Sequence, residues 1–282
     1  MNTIRDLFFP SIEFLEKKGI PNARRSVEAL LSIVLKKKRL EIYLSFDTPI
    51  EPNELKLYKD YLKQRASRKP IAYIEQQVEF LGSLLFVDSS VLIPRQETEQ
   101  LAQMVIESAP KGPGVVFDVC TGSGCLAIAI KKHCPHLTLF ASDLSKEALE
   151  TAKKNASLNK VDITFLHGDL LLPFQGKQCD LFVCNPPYIA LDQKHLLEPE
   201  VALFEPPIAL FGGDDGNEFY KRLGQDLHLH LKPHAKAFLE LGQDQETISK
   251  YFNPSFFKTM EIKKDLSHKN RFFFLERESP QV

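Results

Sequence analysis

Apolar residues recur along this chain at two different periods, and the change between them divides it. Across residues 3–68 the spacing is helical. Ile12, Leu15 and Ile20 share one pattern, while Val27, Leu30, Leu31 and Val34 repeat at the 3.6-residue period of a buried stripe. Leu55, Tyr58, Tyr61 and Leu62 mark a further helix, entered through Pro52 and Asn53. From residue 72 the pattern becomes β-prone, with runs at Tyr73–Phe80 and Leu84–Val87 separated by Leu81-Gly82-Ser83, which reads as a hairpin. Val91-Leu92-Ile93-Pro94 follows, and a helix then starts near Glu97 and stops before Pro110.

Beyond Gly112-Pro113-Gly114 short apolar runs alternate with helical patterns. Val115–Val119, Leu137–Ser142, Ile163–Leu166 and Leu181–Cys184 are near-continuously apolar, as strands buried on both faces must be. Gly124–His133 and Lys146–Leu158 lie between the first three and have helical spacing. Such alternation predicts a doubly wound, Rossmann-like parallel sheet with right-handed crossovers. The end of the chain differs: Ala237–Leu241, Phe256–Lys263 and Arg271–Glu276 are strands, the last two joined by a short polar turn. A hairpin added to a parallel sheet is the mark of the class I methyltransferase fold rather than of nicotinamide domains. The expected organisation is a helical recognition domain over 1–70, a β-hairpin linker over 71–93 and an α/β domain over 94–282.

Composition adds limits. With 43% hydrophobic and 26% charged residues the chain can bury a proper core. Thirty-six Lys/Arg against 37 Asp/Glu create no global field for a nucleic acid or a membrane. The charge is uneven, with 15 basic against 12 acidic residues in 1–90, but the run Lys36–Arg39 reads as a helix end offsetting its dipole. The five cysteines, at 120, 125, 134, 179 and 184, form no C-x-x-C pair, and His167, His195 and His268 have no partner at ligand spacing, so no metal site is expected. The first residues lack a secretory apolar core, and no apolar run reaches the roughly 18 residues of a membrane span. These features predict a soluble cytoplasmic protein.

The first strand of the α/β part runs into Asp118-Val119-Cys120-Thr121-Gly122-Ser123-Gly124. Glycines there let the backbone turn sharply and approach a ligand, and the following helix presents N–H groups and the positive end of its dipole. Read strictly, Gly122-x-Gly124-x-x-Ala127 also fits a dinucleotide fingerprint, so the loop indicates a nucleotide-like cofactor without choosing one. Asp143 ends the second strand, where a carboxylate can accept from both hydroxyls of a ribose; the competing role is capping the next helix, for which Ser145 is a rival. After the third strand, Asp169 can accept from an adenine amino group with Leu170 beside the ring, or serve only as a turn residue.

Asn185-Pro186-Pro187-Tyr188, just past the fourth strand, separates the possibilities. Two prolines remove two backbone donors and fix two φ angles, so carbonyls are left pointing in set directions with no sheet to pair with. With the Asn185 side-chain oxygen they can hold an NH₂ group that donates two hydrogen bonds. An amide or exocyclic amine nitrogen is a poor nucleophile because its lone pair is delocalised. Accepting both N–H bonds builds charge on that nitrogen and aims its lone pair at an electrophilic methyl. Tyr188 is placed to stack on the planar group. Asn185, Pro186 and Tyr188 are therefore the expected catalytic residues, with Pro187 completing the substrate contact. The chemistry suits adenine and glutamine equally.

Taken together these motifs resemble the release-factor glutamine methyltransferase family over nearly the whole chain. The likeness rests on Lys69-Pro70-Ile71-Ala72-Tyr73-Ile74, Glu79-Phe80-Leu81-Gly82, Val91-Leu92-Ile93-Pro94-Arg95-Gln96-Glu97-Thr98-Glu99 and Asp118 through Gly124. It continues through Asn185–Ile189, Phe204-Glu205-Pro206 and Gly212-Gly213-x-Asp215-Gly216. The resemblance implies methylation of the side-chain amide of the glutamine in the Gly-Gly-Gln tripeptide of class 1 peptide chain release factors. It implies S-adenosyl-L-methionine as cofactor and S-adenosyl-L-homocysteine as product. The cofactor contacts would come from Cys120, Thr121, Gly122, Ser123, Gly124, Asp143, Asp169, Leu170 and Asn185. Two positions depart from the family pattern: Gln76, where glycine is usual, and Gln96, where proline is usual. The rival reading is an adenine-N6 methyltransferase, which uses the same tetrapeptide but would want a basic surface and an insertion that reads bases.

Overall fold

The computed structural model describes residues 3–243 and 245–279. They form two compact units, one of the chain up to Gln76 together with Glu198–Phe204, the other of Gln77–Leu197 with the chain from Glu205 onward. The first holds α1 (Ile4–Lys17), α2 (Ala23–Leu35), α3 (Arg39–Leu44), α4 (Pro52–Ala66) and α5 (Ile71–Glu75). α1 begins where Thr3 and Asp6 close a reciprocal capping box, each side chain accepting the other's backbone N–H at 3.3 and 2.9 Å. α4 begins on Pro52, whose missing N–H is no loss in the first turn. The predicted stripe of Val27, Leu30, Leu31 and Val34 is buried against Phe8, Leu15 and Tyr58. Ile20 joins this core from the turn after α1, not from the helix itself.

Tyr73–Glu75 were expected to open a strand and instead form the end of α5. Pro70 at its N-cap and a left-handed Gln76 at its C-cap (φ 58°) confine five residues to one short helix, and tertiary burial of Tyr73 and Ile74 overrides their β preference. The left-handed backbone explains why glycine is usual at position 76; a side chain there costs about 1 kcal/mol. The other departure is as simple. Gln96 is the first residue of its helix, the position where proline is favoured because its N–H has no intrahelical partner.

The second unit opens with the hairpin β1 (Gln77–Phe80) and β2 (Ser83–Phe86), whose two turn residues, Leu81 and Gly82, both have positive φ, as a tight twisted hairpin demands. Phe80 and Leu85 lie in the core of this unit, so the segment read as a linker is a packed part of it. There follow α6 (Gln96–Glu107), β3 (Gly114–Val119), α7 (Cys125–His133), β4 (Leu137–Asp143), α8 (Lys146–Leu158), β5 (Thr164–His167) and β6 (Cys179–Cys184). After α9 (Pro199–Phe204) come α10 (Glu218–Asp226), β7 (Leu231–Glu240), β8 (Phe257–Lys264) and β9 (Asn270–Arg277). The sheet order is β5-β4-β3-β6-β7-β9-β8, parallel except for β9, which runs antiparallel to both neighbours. One face packs on α6, α7 and α8 through Leu101, Val105, Ile128 and Ala156; the other packs on α10 through Tyr220 and Leu223. On that second face Phe117 stacks on Phe174 with centroids 4.2 Å apart, a pairing that contributes about 1 kcal/mol beyond its buried area.

α9 belongs to the helical unit although it is encoded far from it. Arg65, buried in α4, donates to Glu200 of α9 at 3.0 Å, to Ser26 Oγ and to the Lys69 carbonyl, and Arg68 reaches the other Glu200 oxygen at 3.5 Å. A buried guanidinium is tolerated only with this degree of pairing. Among the described residues no helix is long and apolar enough to cross a membrane, and no group of three or more His, Cys, Asp or Glu could hold a metal ion.

Candidate active site

Strand order reverses at β3: β4 and β5 lie to one side, β6 and β7 to the other. Loops leaving β3 and β6 therefore diverge at their carboxyl ends, and the crevice opens there. A cleft of about 900 Å³ occupies this place, lined by the loop after β3, the ends of β4 and β5, Asn185 and Pro187, and by Ser90–Leu92, Thr98 and Phe219.

The loop after β3 is held in shape by carboxylates and an amide gripping its backbone. Cys120, Gly122 and Gly124 all have positive φ (60°, 55° and 81°), so the chain winds left-handedly into α7. Asp118, fully buried, accepts from Thr121 Oγ1 at 2.6 Å and from the Ala127 N–H at 3.2 Å. Burial pushes its carboxyl up to about 7 despite these donors. Asn155 of α8 donates to the Ser123 carbonyl and closes a two-way bond with Phe86 in β2, tying loop, helix and hairpin together. A Cβ placed on Gly122 would meet nothing within 4 Å, so its face looks into open cleft.

Asp143, at the end of β4, accepts the Gly122 N–H on one oxygen at 2.8 Å and the Ser145 N–H on the other at 2.9 Å. Its burial raises its pKa, opposed by those N–H groups. The helix cap is Ser145, which accepts from Ala148 N–H at 3.1 Å. Asp143 lines the cleft, and its carboxylate keeps acceptor capacity beyond these backbone N–H groups. Asp169 also reaches the cleft, and Arg222 of α10 pairs with one of its oxygens at 2.6 Å, a partner the sequence did not suggest. Leu170 beside it is buried in a left-handed conformation (φ 45°).

The loop after β6 is built the other way. Pro186 and Pro187 are buried, and the Pro186 carbonyl accepts no hydrogen bond among the described residues. The Tyr188 carbonyl is taken by Gln245 Nε2 at 3.2 Å, which also donates to the Gly216 carbonyl at 2.7 Å, while Gln245 Oε1 accepts the Gly242 N–H at 2.8 Å. The Gly212–Gly216 turn lies directly against this loop: Gly212 N–H donates to Ile189, and a Cβ on Gly216 would collide with the Tyr188 carbonyl. The glycines serve close backbone approach here. Asn185 Nδ2 donates to Thr98 Oγ1 at 3.3 Å, and Thr98 Oγ1 donates to Glu240 Oε2 at 2.8 Å. Glu240 ends β7 almost completely buried, which pushes its carboxyl up to about 7 against the opposing pull of Thr98 and Arg271.

Cys120, Thr121, Gly122, Ser123, Asp143, Asp169, Leu170, Asn185 and Pro187 all line the one cleft. Gly124, Pro186 and Tyr188 lie outside that lining, each next in sequence to a residue that belongs to it. The Tyr188 ring packs against Gly242 and the core beneath, and burial raises its hydroxyl pKa. The residues missed were the polar supports: Thr98, Glu240, Gln245, Asn155 and Arg222. Cys184 packs beside Cys120 in the core, its thiol pushed up by burial.

Comparison with known proteins agrees with this architecture. The methyltransferase small domain family matches residues 94–199, and the PrmC N-terminal domain family matches residues 11–75. The release factor glutamine methyltransferase of Chlamydia trachomatis serovar D is 38% identical over 280 residues, covering 98% of this chain and 95% of that one. The protein of the same name from Leptospira interrogans is 37% identical, covering 98% and 99%. Among solved structures, a methyltransferase from Pyrococcus furiosus aligns with a TM-score of 0.53 at 15% identity, over 69% of this chain and 89% of that one. The 16S rRNA N2 G1207 methyltransferase of T. thermophilus, in complex with AdoMet and guanosine, aligns with a TM-score of 0.50 at 14% identity, over 72% and 50%. These two likenesses show the class I methyltransferase fold and nothing finer.

Proposed function

We propose, from the premise that this chain belongs to the release factor glutamine methyltransferase family, that it methylates the side-chain amide of the Gly-Gly-Gln glutamine of class 1 peptide chain release factors. The observation that carries this reading is the match at 38% identity across 98% of the chain. It favours glutamine over adenine, a choice the tetrapeptide leaves open.

The cleft suits S-adenosyl-L-methionine. Gly122 leaves space for close approach, Asp143 has acceptor capacity left for a ribose, and Asp169 with Leu170 offers an edge and a face for an adenine. Cys120, Thr121, Ser123 and Gly124 would complete the wall around it, with Asn185 at the junction with the substrate. Bound there, the cofactor supplies an electrophilic methyl on a sulfonium and leaves as S-adenosyl-L-homocysteine.

The chain's own part is to hold and polarise the nucleophile. Asn185 Oδ1 and the Pro186 carbonyl accept the two N–H bonds of the glutamine amide, so electron density gathers on its nitrogen as the N–C bond forms. Pro186 and Pro187 fix the carbonyl directions without competing donors. Pro187 forms the cleft wall, and Tyr188 braces the loop from behind. The methylated nitrogen then releases one proton to solvent. No strong base is needed, because the proton leaves after the nitrogen has become acidic.

Mass spectrometry of a purified release factor incubated with the protein and S-adenosyl-L-methionine tests this. The expected result is a gain of one methyl on the Gly-Gly-Gln peptide. A release factor left unmodified while a DNA or RNA oligonucleotide is methylated would overturn it.

A further inference from the structure

The hydrogen bonds behind Asn185 have a direction, and chemistry fixes it. An ionised carboxylate only accepts, so with Glu240 charged the single Thr98 hydroxyl hydrogen must point at Glu240 Oε2, 2.8 Å away. Thr98 Oγ1 then has only lone pairs to offer Asn185 at 3.3 Å, and the amide must meet it with Nδ2. Asn185 therefore turns its nitrogen inward and leaves Oδ1 toward the cleft. If Glu240 takes a proton, the chain can reverse: the carboxylic acid donates to Thr98, and the Thr98 hydrogen becomes free to turn to Asn185. The amide then loses both the Thr98 lone pair and the Glu240 charge that held its nitrogen inward. Rotated by half a turn, it would face an incoming NH₂ group with its own N–H bonds.

Resting on the assignment of Asn185 as acceptor for the glutamine amide, we propose that Thr98 and Glu240 are positioning residues that set the polarity of the Asn185 side chain. Ionised Glu240 is the state that makes the cleft an acceptor for NH₂. The surroundings of Glu240 are mixed. Arg271 of β9 favours its charge, Glu97 of α6 opposes it, and the Asn185 amide also favours it. Arg271 is itself shared with Asp265 and with the Leu241 carbonyl. The remaining neighbours, Tyr188, Tyr220 of α10 and Cys125 of α7, are neutral, with pKa values raised by burial, and the Tyr220 hydroxyl donates to the Glu240 main-chain carbonyl. Burial outweighs Arg271, so the carboxyl titrates near neutrality and not with ordinary glutamates.

The test is steady-state methylation of a release factor as a function of pH, with S-adenosyl-L-homocysteine binding measured on every variant. In the wild type kcat should fall on an acid limb. Glu240→Gln, whose amide oxygen can still accept from Thr98 and which does not titrate, should lose that limb and keep kcat within about threefold of wild type at pH 8. Thr98→Val should lower kcat about tenfold or more, while Thr98→Ser, which keeps the hydroxyl, returns to within about threefold of wild type. S-adenosyl-L-homocysteine binding within about twofold of wild type shows that the variants are folded. Thr98→Val with wild-type kcat, or Glu240→Gln with an unchanged acid limb, overturns the proposal. A wild-type protein that leaves the release factor unmethylated defeats the substrate assignment instead, so the two failures are distinct.

Discussion

Two loops leave the carboxyl ends of neighbouring parallel strands, and they are built with opposite polarity. The loop after β3 is held mainly through backbone N–H groups: Asp143 takes Gly122 and Asp118 takes Ala127 in the first turn of α7, with Asn155 on the Ser123 carbonyl. The loop after β6 is a set of carbonyls held by donors or left free. Gln245 donates to Tyr188 and Gly216, and two prolines delete the N–H groups that would otherwise compete. One loop meets a nucleoside with a close backbone and the Asp143 carboxylate, the other leaves carbonyls for a ligand rich in N–H. A methyl transfer from a nucleoside to an amide brings those two ligands together, and adjacent strand ends provide for both with one change of residue type.

The sharpest way to break this division is Asn185→Ala. It should reduce kcat by at least about 100-fold, the scale seen when one preorganised polar partner is removed. Its titration with S-adenosyl-L-homocysteine should stay within a few-fold of wild type. Equal loss of binding and turnover would show that the loops do not act separately. Next in size is Asp143→Asn. Each carboxylate oxygen holds a different N–H, and an amide can accept with only one, so one N–H is left facing an N–H. The mismatch should cost about 1–3 kcal/mol in chemical denaturation and raise the cofactor KM more than it lowers kcat. The smallest effect is expected from Gln245→Leu, which leaves the Tyr188 and Gly216 carbonyls without their donor. A loss of about 1–2 kcal/mol in stability and a few-fold lower kcat, with cofactor affinity unchanged, would locate Gln245 on the carbonyl side of the division.

Much of the α/β unit was legible because its strands are buried on both faces. Leu137, the start of β4, and Cys184, the end of β6, were read from apolar runs alone. The tetrapeptide was legible because proline at a strand end has few other uses. The supports were not. Thr98 meets Glu240 across 142 positions and Asn185 across 87, and Gln245 meets Tyr188 across 57. In each case an ordinary polar residue gains its role only from the fold. Glu240 was the nearest to a signal, being a carboxylate at the end of an apolar strand, as Asp118 is. Tyr73–Glu75 failed for the opposite reason: strand-forming residues are held helical by what flanks them.

The assignment of α9 to the helical unit has a consequence for the order of events during synthesis. Arg65 is made early and buried late, because its partner Glu200 emerges 135 positions further on. Until then the first unit to leave the ribosome carries a guanidinium that it cannot close over without an uncompensated charge. Most of the second unit's parallel sheet, β3 to β6, is already outside by that time. The amino-terminal unit is thus begun first but completed only after most of the other unit's parallel strands have been made, and a fragment that ends before α9 lacks the partner of Arg65.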